Sequence, residues 1–427
     1  MNSKFGNQLY WKQKFVTPNQ ILMWSTFFHL VALLLYALDY YYLHLYITNY
    51  NDGLVPDQQM FIIRGNSVMS GNLPYENLQI YESLAPPLSM YVLAVPIIFN
   101  KIIPIPLHIM YRIYFSFFNL ISLWLLLKIG EKKLDSKRST LPALLFGLNP
   151  YIISQAAISG SDECMGAFLM VLVAYSIINR HDKTTIFLIG LGTSIKYYPI
   201  LLTPYFLSTK KSISSKLLCG ILTTLSVILF VFPFYFVDHS NFMAQFNNRV
   251  NDLPWNSYGN SGLIILIARL DLFNFAQYSD LYRMSWMLFL LILGLWVSFK
   301  GSDDLQYISV IPSIFFIVYP KFFFSYFLIV FPLIILSIVN FTDSLYIYLI
   351  LNLGLIFGGL VNDRVFGFGS IYRQEPGHVP IMMIIGILAF YVVWIFTTIA
   401  SIIGYDETIQ KPPPITIQAP NHPTTGK

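Results

Sequence analysis

The chain has 427 residues, 56% of them hydrophobic and only 11% charged, with a formal net charge of +5 and a mean hydropathy of +0.60. Soluble domains carry about 25% charged residues, so this composition excludes a soluble globular protein and leaves lipid as the solvent for most of the surface. The modest positive charge is no nucleic-acid signature, because the basic residues fall where membrane topology places them.

In chain order, apolar runs long enough to cross a bilayer are expected over about 20–47, 105–127, 141–158, 164–179, 215–237, 284–299, 305–319, 322–340, 345–361 and 380–403. Two further apolar pieces, 86–103 and 184–208, are interrupted by Pro and Gly and read as half-helices. The expected architecture is therefore an all-α polytopic membrane protein of about 10–12 transmembrane helices. Residues 1–404 are expected to form a single transmembrane domain, and 405–427 a disordered cytoplasmic tail, since Lys411-Pro412-Pro413-Pro414 to Lys427 holds few apolar residues. The first span follows a charged N-terminus and lacks a small-residue cleavage signal, so it is expected to be retained.

The segments around Lys4, Lys12 and Lys14, around Lys128–Arg138, around Arg180–Lys183 and around Lys210–Lys216 are basic. The positive-inside tendency puts all four on the cytoplasmic side. If all four face the cytoplasm, 184–208 enters and leaves on one side and 86–103 is not a full crossing, giving ten spans with two re-entrant or interfacial pieces; the competing reading makes both pieces full spans and gives twelve. The outer loops then comprise about 48–104, 159–163, 238–283, 319–321 and 362–379, and they collect most of the acidic residues.

The first outer loop is the most informative. Pro56 suits a first helical position, Asp57 its first turn, and Gly71 its stop, which predicts a helix over 57–70. Asp57, Phe61, Arg64 and Val68 share one face of it. Lys196 lies inside the apolar piece Ile186–Leu207, where an unpaired ammonium costs about 2.5–3.5 kcal/mol on insertion scales; it marks either a site or a lysine snorkelling to an interface. Asp162 follows Gly160-Ser161 and either orients hydroxyls, pairs with a cation or caps a span. Cys164 and Cys219 read as buried thiols, and no zinc spacing, P-loop or dinucleotide motif appears.

The run Asp57…Gly71-Asn72-Leu73-Pro74-Tyr75…Tyr81…Pro86-Pro87-Leu88, followed by Asn149-Pro150-Tyr151 with Ser159-Gly160-Ser161-Asp162 and by Lys196-Tyr197-Tyr198-Pro199, resembles the GT-C glycosyltransferases. It is most similar to the polyprenol-phosphate-sugar-dependent mannosyltransferases, among them the first mannosyltransferase of glycosylphosphatidylinositol assembly and its prokaryotic relatives. The resemblance covers roughly residues 20–205. It departs from the family pattern where many relatives carry two acidic residues one apart, since Gln58 and Gln59 follow Asp57 here.

The resemblance implies a GT-C fold and a membrane enzyme moving a hexose, commonly mannose, from a polyprenyl-phosphate donor to a lipid-linked or glycan acceptor on the outer or lumenal face. The membrane would be the plasma membrane in a prokaryote or the endoplasmic reticulum in a eukaryote. Asp57 is the expected general base. Arg64, Lys196, Lys321 and Arg373 are the expected donor-phosphate contacts, and Asp162, Tyr75, Trp255 and His378 the expected acceptor or sugar contacts. Membrane lipids are expected partners and nucleic acid is not. No cofactor is expected, with metal use left open. The alternative is a transporter or flippase of lipid-linked sugars; such proteins commonly show paired broken helices in repeated halves, and no internal symmetry is visible here.

Overall fold

The computed structural model describes residues 16–43, 56–79, 82, 85–136, 138–243, 279–300, 304–319, 324–341, 347–353, 355 and 381–403. Every regular element among them is helical.

Helix α1 (Pro18–Leu38) opens with a capping box: Thr17 Oγ1 accepts from the Gln20 amide at 3.3 Å, Gln20 Oε1 accepts from the Thr17 amide at 2.9 Å, and Pro18 takes the first helical position. It continues as a π turn, Asp39–Leu43. Helix α2 (Pro56–Met69) matches the predicted loop helix, and Gly71 at φ +91° turns the chain away from it. Helices α3 (Ser89–Ile102) and α4 (Leu107–Lys133) follow. Tyr111 and Tyr114 of α4 each donate their hydroxyl to a carbonyl of α3, Leu93 and Val92, at 3.0 Å.

The predicted span 141–158 is broken. α5 (Leu141–Gly147) and α6 (Pro150–Ser154), which runs on into the π turn Gln155–Ser159, meet at a 49° bend. Pro150 cannot donate to the preceding turn. The Asn149 side chain instead accepts from the Tyr151 amide at 2.9 Å and gives its own amide hydrogens to Asn352 and Tyr348. The Asn-Pro pair therefore breaks the span and ties the break to the helical segment 347–353.

α7 (Glu163–Ile178) is followed by α8 (Asp182–Ile195), a 3₁₀ turn (Tyr198–Leu202) and α9 (Thr203–Ser208), then α10 (Ile213–Val231). The piece 184–208 folds back on itself. Asp182 at its start pairs with Lys210 just past its end, and Arg180 Nη1 donates to the Thr209 carbonyl at 3.1 Å. The predicted half-helix 86–103 holds the 14-residue α3, and the Leu88 amide just ahead of it donates to the Ser194 carbonyl at the tip of α8 at 2.8 Å.

The remaining described helices are α11 (Ser279–Lys300), α12 (Val310–Val318), α13 (Phe324–Phe341) and α14 (Ile381–Ile403). Three described helices, α1, α4 and α10 with its 3₁₀ extension, are long and apolar enough to cross a bilayer, and the bent pair α5–α6 makes a fourth. Shorter apolar helices fill the rest, with α7, α12 and α13 buried at the centre and α1, α10 and α11 presenting large exposed hydrophobics as lipid-facing helices do. Both cysteines are free and buried.

Basic side chains gather at one end of the bundle: Lys132 Nζ donates to Asn179 Oδ1 at 2.6 Å, Arg138 Nη1 to the Val339 carbonyl at 3.4 Å, and Lys216 Nζ to the Ser298 carbonyl at 2.6 Å. Helices α4 and α7 run from the opposite end toward it. Cysteines introduced at Ser136 and Ser212 are therefore expected to react with a membrane-impermeant thiol reagent from the same side, and one at the exposed Ser70 from the other. Labelling of Ser136→Cys and Ser212→Cys from opposite faces would contradict the fold-back.

Candidate active site

At the end of the bundle away from the basic cluster, three polar features converge. The first is the start of α2. Asp57 sits in its first turn with an exposed side chain, where the helix N-terminus favours a carboxylate. Phe61, one turn on, is buried against Tyr111 and Phe115 of α4, with ring centroids 5.7 and 5.8 Å away, and this anchors α2 to the bundle.

The second is the turn between the π segment Gln155–Ser159 and α7. Gly160 has φ +65°, the Ser161 amide donates to the Gln155 carbonyl at 2.9 Å, and Ser161 Oγ accepts from the Glu163 amide at 3.3 Å. This turn sets Asp162 and Glu163 side by side at the start of α7.

The third is the tip of the fold-back. Lys196 ends α8 in an extended conformation, and its ammonium lies 2.8 Å from Asp162 Oδ2 and 3.4 Å from Glu163 Oε1. Lys196 is thus neither alone in the apolar interior nor snorkelling. Two carboxylates share it, and this satisfies the requirement that buried charges be paired. Three fully ionised groups would leave one net negative charge. Glu163 is only 6% exposed and its Oε2 has no hydrogen-bond partner. Gln58, next to Asp57, reaches the Gly160 carbonyl two residues before Asp162, so the start of α2 and the trio lie at the same end of the bundle.

Gln58 and Arg112 connect these features. The Gln58 amide nitrogen donates to the Ser159 and Gly160 carbonyls, at 3.5 and 3.4 Å, and its oxygen accepts from Arg112 Nη1 at 3.2 Å.

Other expected site residues fare differently. Arg64 Nε donates to the Glu82 carbonyl at 2.7 Å, which ties α2 to the following part of the loop. Tyr75 is 0% exposed, donates its hydroxyl to the Ala85 carbonyl at 2.8 Å and packs on Phe242. Its φ of +76° is strained for a bulky residue, and Asn241 Nδ2 braces its carbonyl at 3.2 Å. A ring so enclosed is a pillar of the loop and offers no face to a sugar. Trp255, Lys321, Arg373 and His378 lie outside the described residues, as does the tail 405–427. Among the described residues no three His, Cys, Asp or Glu side chains form a group able to hold a metal ion.

The family model described as Glycosyltransferase family 87 matches residues 86–311, more than half of the chain. The chain belongs to glycosyltransferase family 87. A search of curated proteins finds no match. The family 87 match begins at Pro86, so it takes in Arg112, Gly160, the Asp162–Glu163 pair and Lys196, while Asp57 and Gln58 stand ahead of it. A family 87 protein is a glycosyltransferase with a sugar donor and an acceptor as substrates, and the apolar helices place this one in a membrane.

Sequence reasoning singled out Asp57, Asp162 and Lys196 but not the contact between the last two. It gave no role to Glu163, Gln58 or Arg112. An arginine twenty residues before the basic end of an apolar span is itself a signal, and Arg112 carried it.

Proposed function

We propose that this protein transfers a hexose, with mannose as the first candidate, from a polyprenyl-phosphate donor to a lipid-linked or glycan acceptor, on the outer or lumenal face of its membrane and with inversion at the anomeric carbon. The fold under this reading is GT-C. The observation that carries it is the exposed Asp57 carboxylate at the start of a loop helix, beside the Asp162–Glu163–Lys196 trio, in a chain of a glycosyltransferase family.

The chemistry needs one base. The acceptor hydroxyl oxygen attacks the anomeric carbon, its proton passes to Asp57, and the bond from that carbon to the phosphate oxygen breaks, with the electron pair leaving on polyprenyl phosphate. A phosphate monoester leaves without protonation, so the second carboxyl that glycoside hydrolysis requires has no counterpart here. An ammonium has three donors, and two of those on Lys196 are taken by Asp162 and Glu163; the third is left for a phosphate oxygen or a sugar hydroxyl. Lys321 and Arg373 are the further candidates for stabilising the leaving charge, and Trp255 and His378 for the acceptor. Asp162 acts through Lys196 and through any sugar hydroxyl that reaches it.

The test is transfer itself. Membranes with and without the protein are given polyprenyl-phosphate mannose or polyprenyl-phosphate glucose labelled in the sugar. A labelled glycolipid or glycan is expected only with the protein present, with the anomeric configuration opposite to that of the donor by NMR. Transfer from a nucleotide sugar alone, or retention of configuration, would overturn the reading. Movement of the labelled lipid across the membrane with no new glycosidic bond would mark a transporter instead.

A further inference from the structure

We propose that Gln58, held by Arg112, is a positioning residue for Asp57: the two side chains weld the base-bearing turn of α2 to the turn that presents Asp162 and Glu163. The inference rests on Asp57 being the base, as argued above.

Gln58 follows Asp57 directly and is 0% exposed, an unusual state for the third residue of a loop helix whose neighbouring Asp57 and Gln59 are exposed. Its amide is used at both ends, donating to the Ser159 and Gly160 carbonyls and accepting from Arg112. Arg112 is 1% exposed and makes no ion pair with a carboxylate among the described residues. Its charge is met by oxygens and a ring: Nε donates to the Ile158 carbonyl at 2.7 Å, Nη1 to the His108 carbonyl at 2.7 Å, and the guanidinium carbon stands 3.6 Å from the centre of the Tyr36 ring. Enclosed in this way, Arg112 has no surface to offer a phosphate. A buried cation with no carboxylate partner is costly, and here that cation is held by the Ile158 and His108 carbonyls, the Tyr36 ring and the Gln58 amide oxygen.

Gly160 supplies an independent sign that the arrangement is fixed. A Cβ on it would lie 2.1 Å from Gln58 Nε2 and 3.1 Å from Arg112 Cγ. Its φ of +65° also favours glycine. The site therefore needs both a residue without a side chain at 160 and an amide filling the space that absence leaves. Successive residues of a helix are about 100° apart around its axis, so locking Gln58 sets the direction of Asp57. Displacing a catalytic group by about 1 Å can cost on the order of 10²-fold in rate.

The experiment has an activity arm and a geometric arm. In the first, Gln58→Met, which keeps the length and loses both amide atoms, and Gln58→Ala are expected to lower kcat about 10- to 100-fold with donor KM within about twofold, as misplacement of the base requires. Gly160→Ala is expected to do the same, and Gln58→Ala/Gly160→Ala to be no worse than the poorer single variant, because removing the glutamine removes the clash. In the second arm, Asp57→Cys and Asp162→Cys are joined by thiol cross-linkers of graded span. One span should dominate with Gln58 present, and Gln58→Met should spread the yield over several spans while the protein stays folded, its midpoint lowered only modestly by the lost amide contacts. An unchanged span preference in Gln58→Met, or equal losses in kcat and donor affinity, would overturn the proposal. The cross-linking arm reads the same whether or not the native chain transfers hexose, so a failure of the proposed function is told apart from a failure of this one.

Discussion

Asp57→Asn is expected to lower hexose transfer by about 10²–10⁴-fold, the usual contribution of a positioned general base. Asparagine keeps the size and polarity of the side chain and removes only its ability to take a proton. Asp57 is exposed and lies in the first turn of α2, where a carboxylate's favourable interaction with the helix N-terminus is worth about 0.3–1 kcal/mol. The variant should therefore express, keep its thermal midpoint within a few degrees and retain donor affinity, with kcat and kcat/KM falling together. The assay is incorporation of labelled hexose from polyprenyl phosphate in membranes. Transfer at the native rate would remove Asp57 from the chemistry.

Lys196→Met should be the most destabilising single change in the site. It leaves Asp162 and Glu163 adjacent, largely buried and without their shared cation, and breaking a buried pair from one side costs about 3–5 kcal/mol. Thermal unfolding in detergent should show a drop of many degrees. Adding Asp162→Asn and Glu163→Gln should recover most of it, because no uncompensated charge then remains. The same triple variant separates two roles of the lysine: if its third ammonium hydrogen meets the donor, stability returns while donor affinity stays low. Recovery of both would leave Lys196 as scaffolding only, and no loss of stability in Lys196→Met would show that the two carboxylates do not depend on it.

Much of the fold could be read from the chain because lipid imposes a simple rule on it. The spans follow from hydropathy, α2 from Pro56, Asp57 and Gly71, and the fold-back of 184–208 from the placement of Arg180, Lys183 and Lys210 on one side. The break at Asn149-Pro150 was visible as a motif, but its meaning was not, because the partners that make it tolerable, Tyr348 and Asn352, are some two hundred residues away. The site divides in the same way. Asp57, Asp162 and Lys196 stood out individually as polar residues in unusual places. Their grouping did not, since nothing in a one-dimensional pattern brings the tip of α8 to the start of α7. Gln58 appeared only as a departure from a doubled acidic motif, and its burial depends on Arg112 and on the empty space above Gly160.

The two halves of the site differ in how far apart their members lie along the chain. The ion cluster joins the start of α7 to the tip of the very next excursion, so a nascent chain holds all of its parts as soon as α8 has emerged, and Lys196 can be neutralised before the later helices exist. The glutamine–arginine weld spans 54 residues to Arg112 and 102 to Gly160; long-range closures of this kind are slower than local ones. During synthesis Gln58, Arg112 and Gly160 all emerge before Lys196, so the residue proposed to take the proton can be aimed, despite the longer closure, before the two carboxylates receive their ammonium.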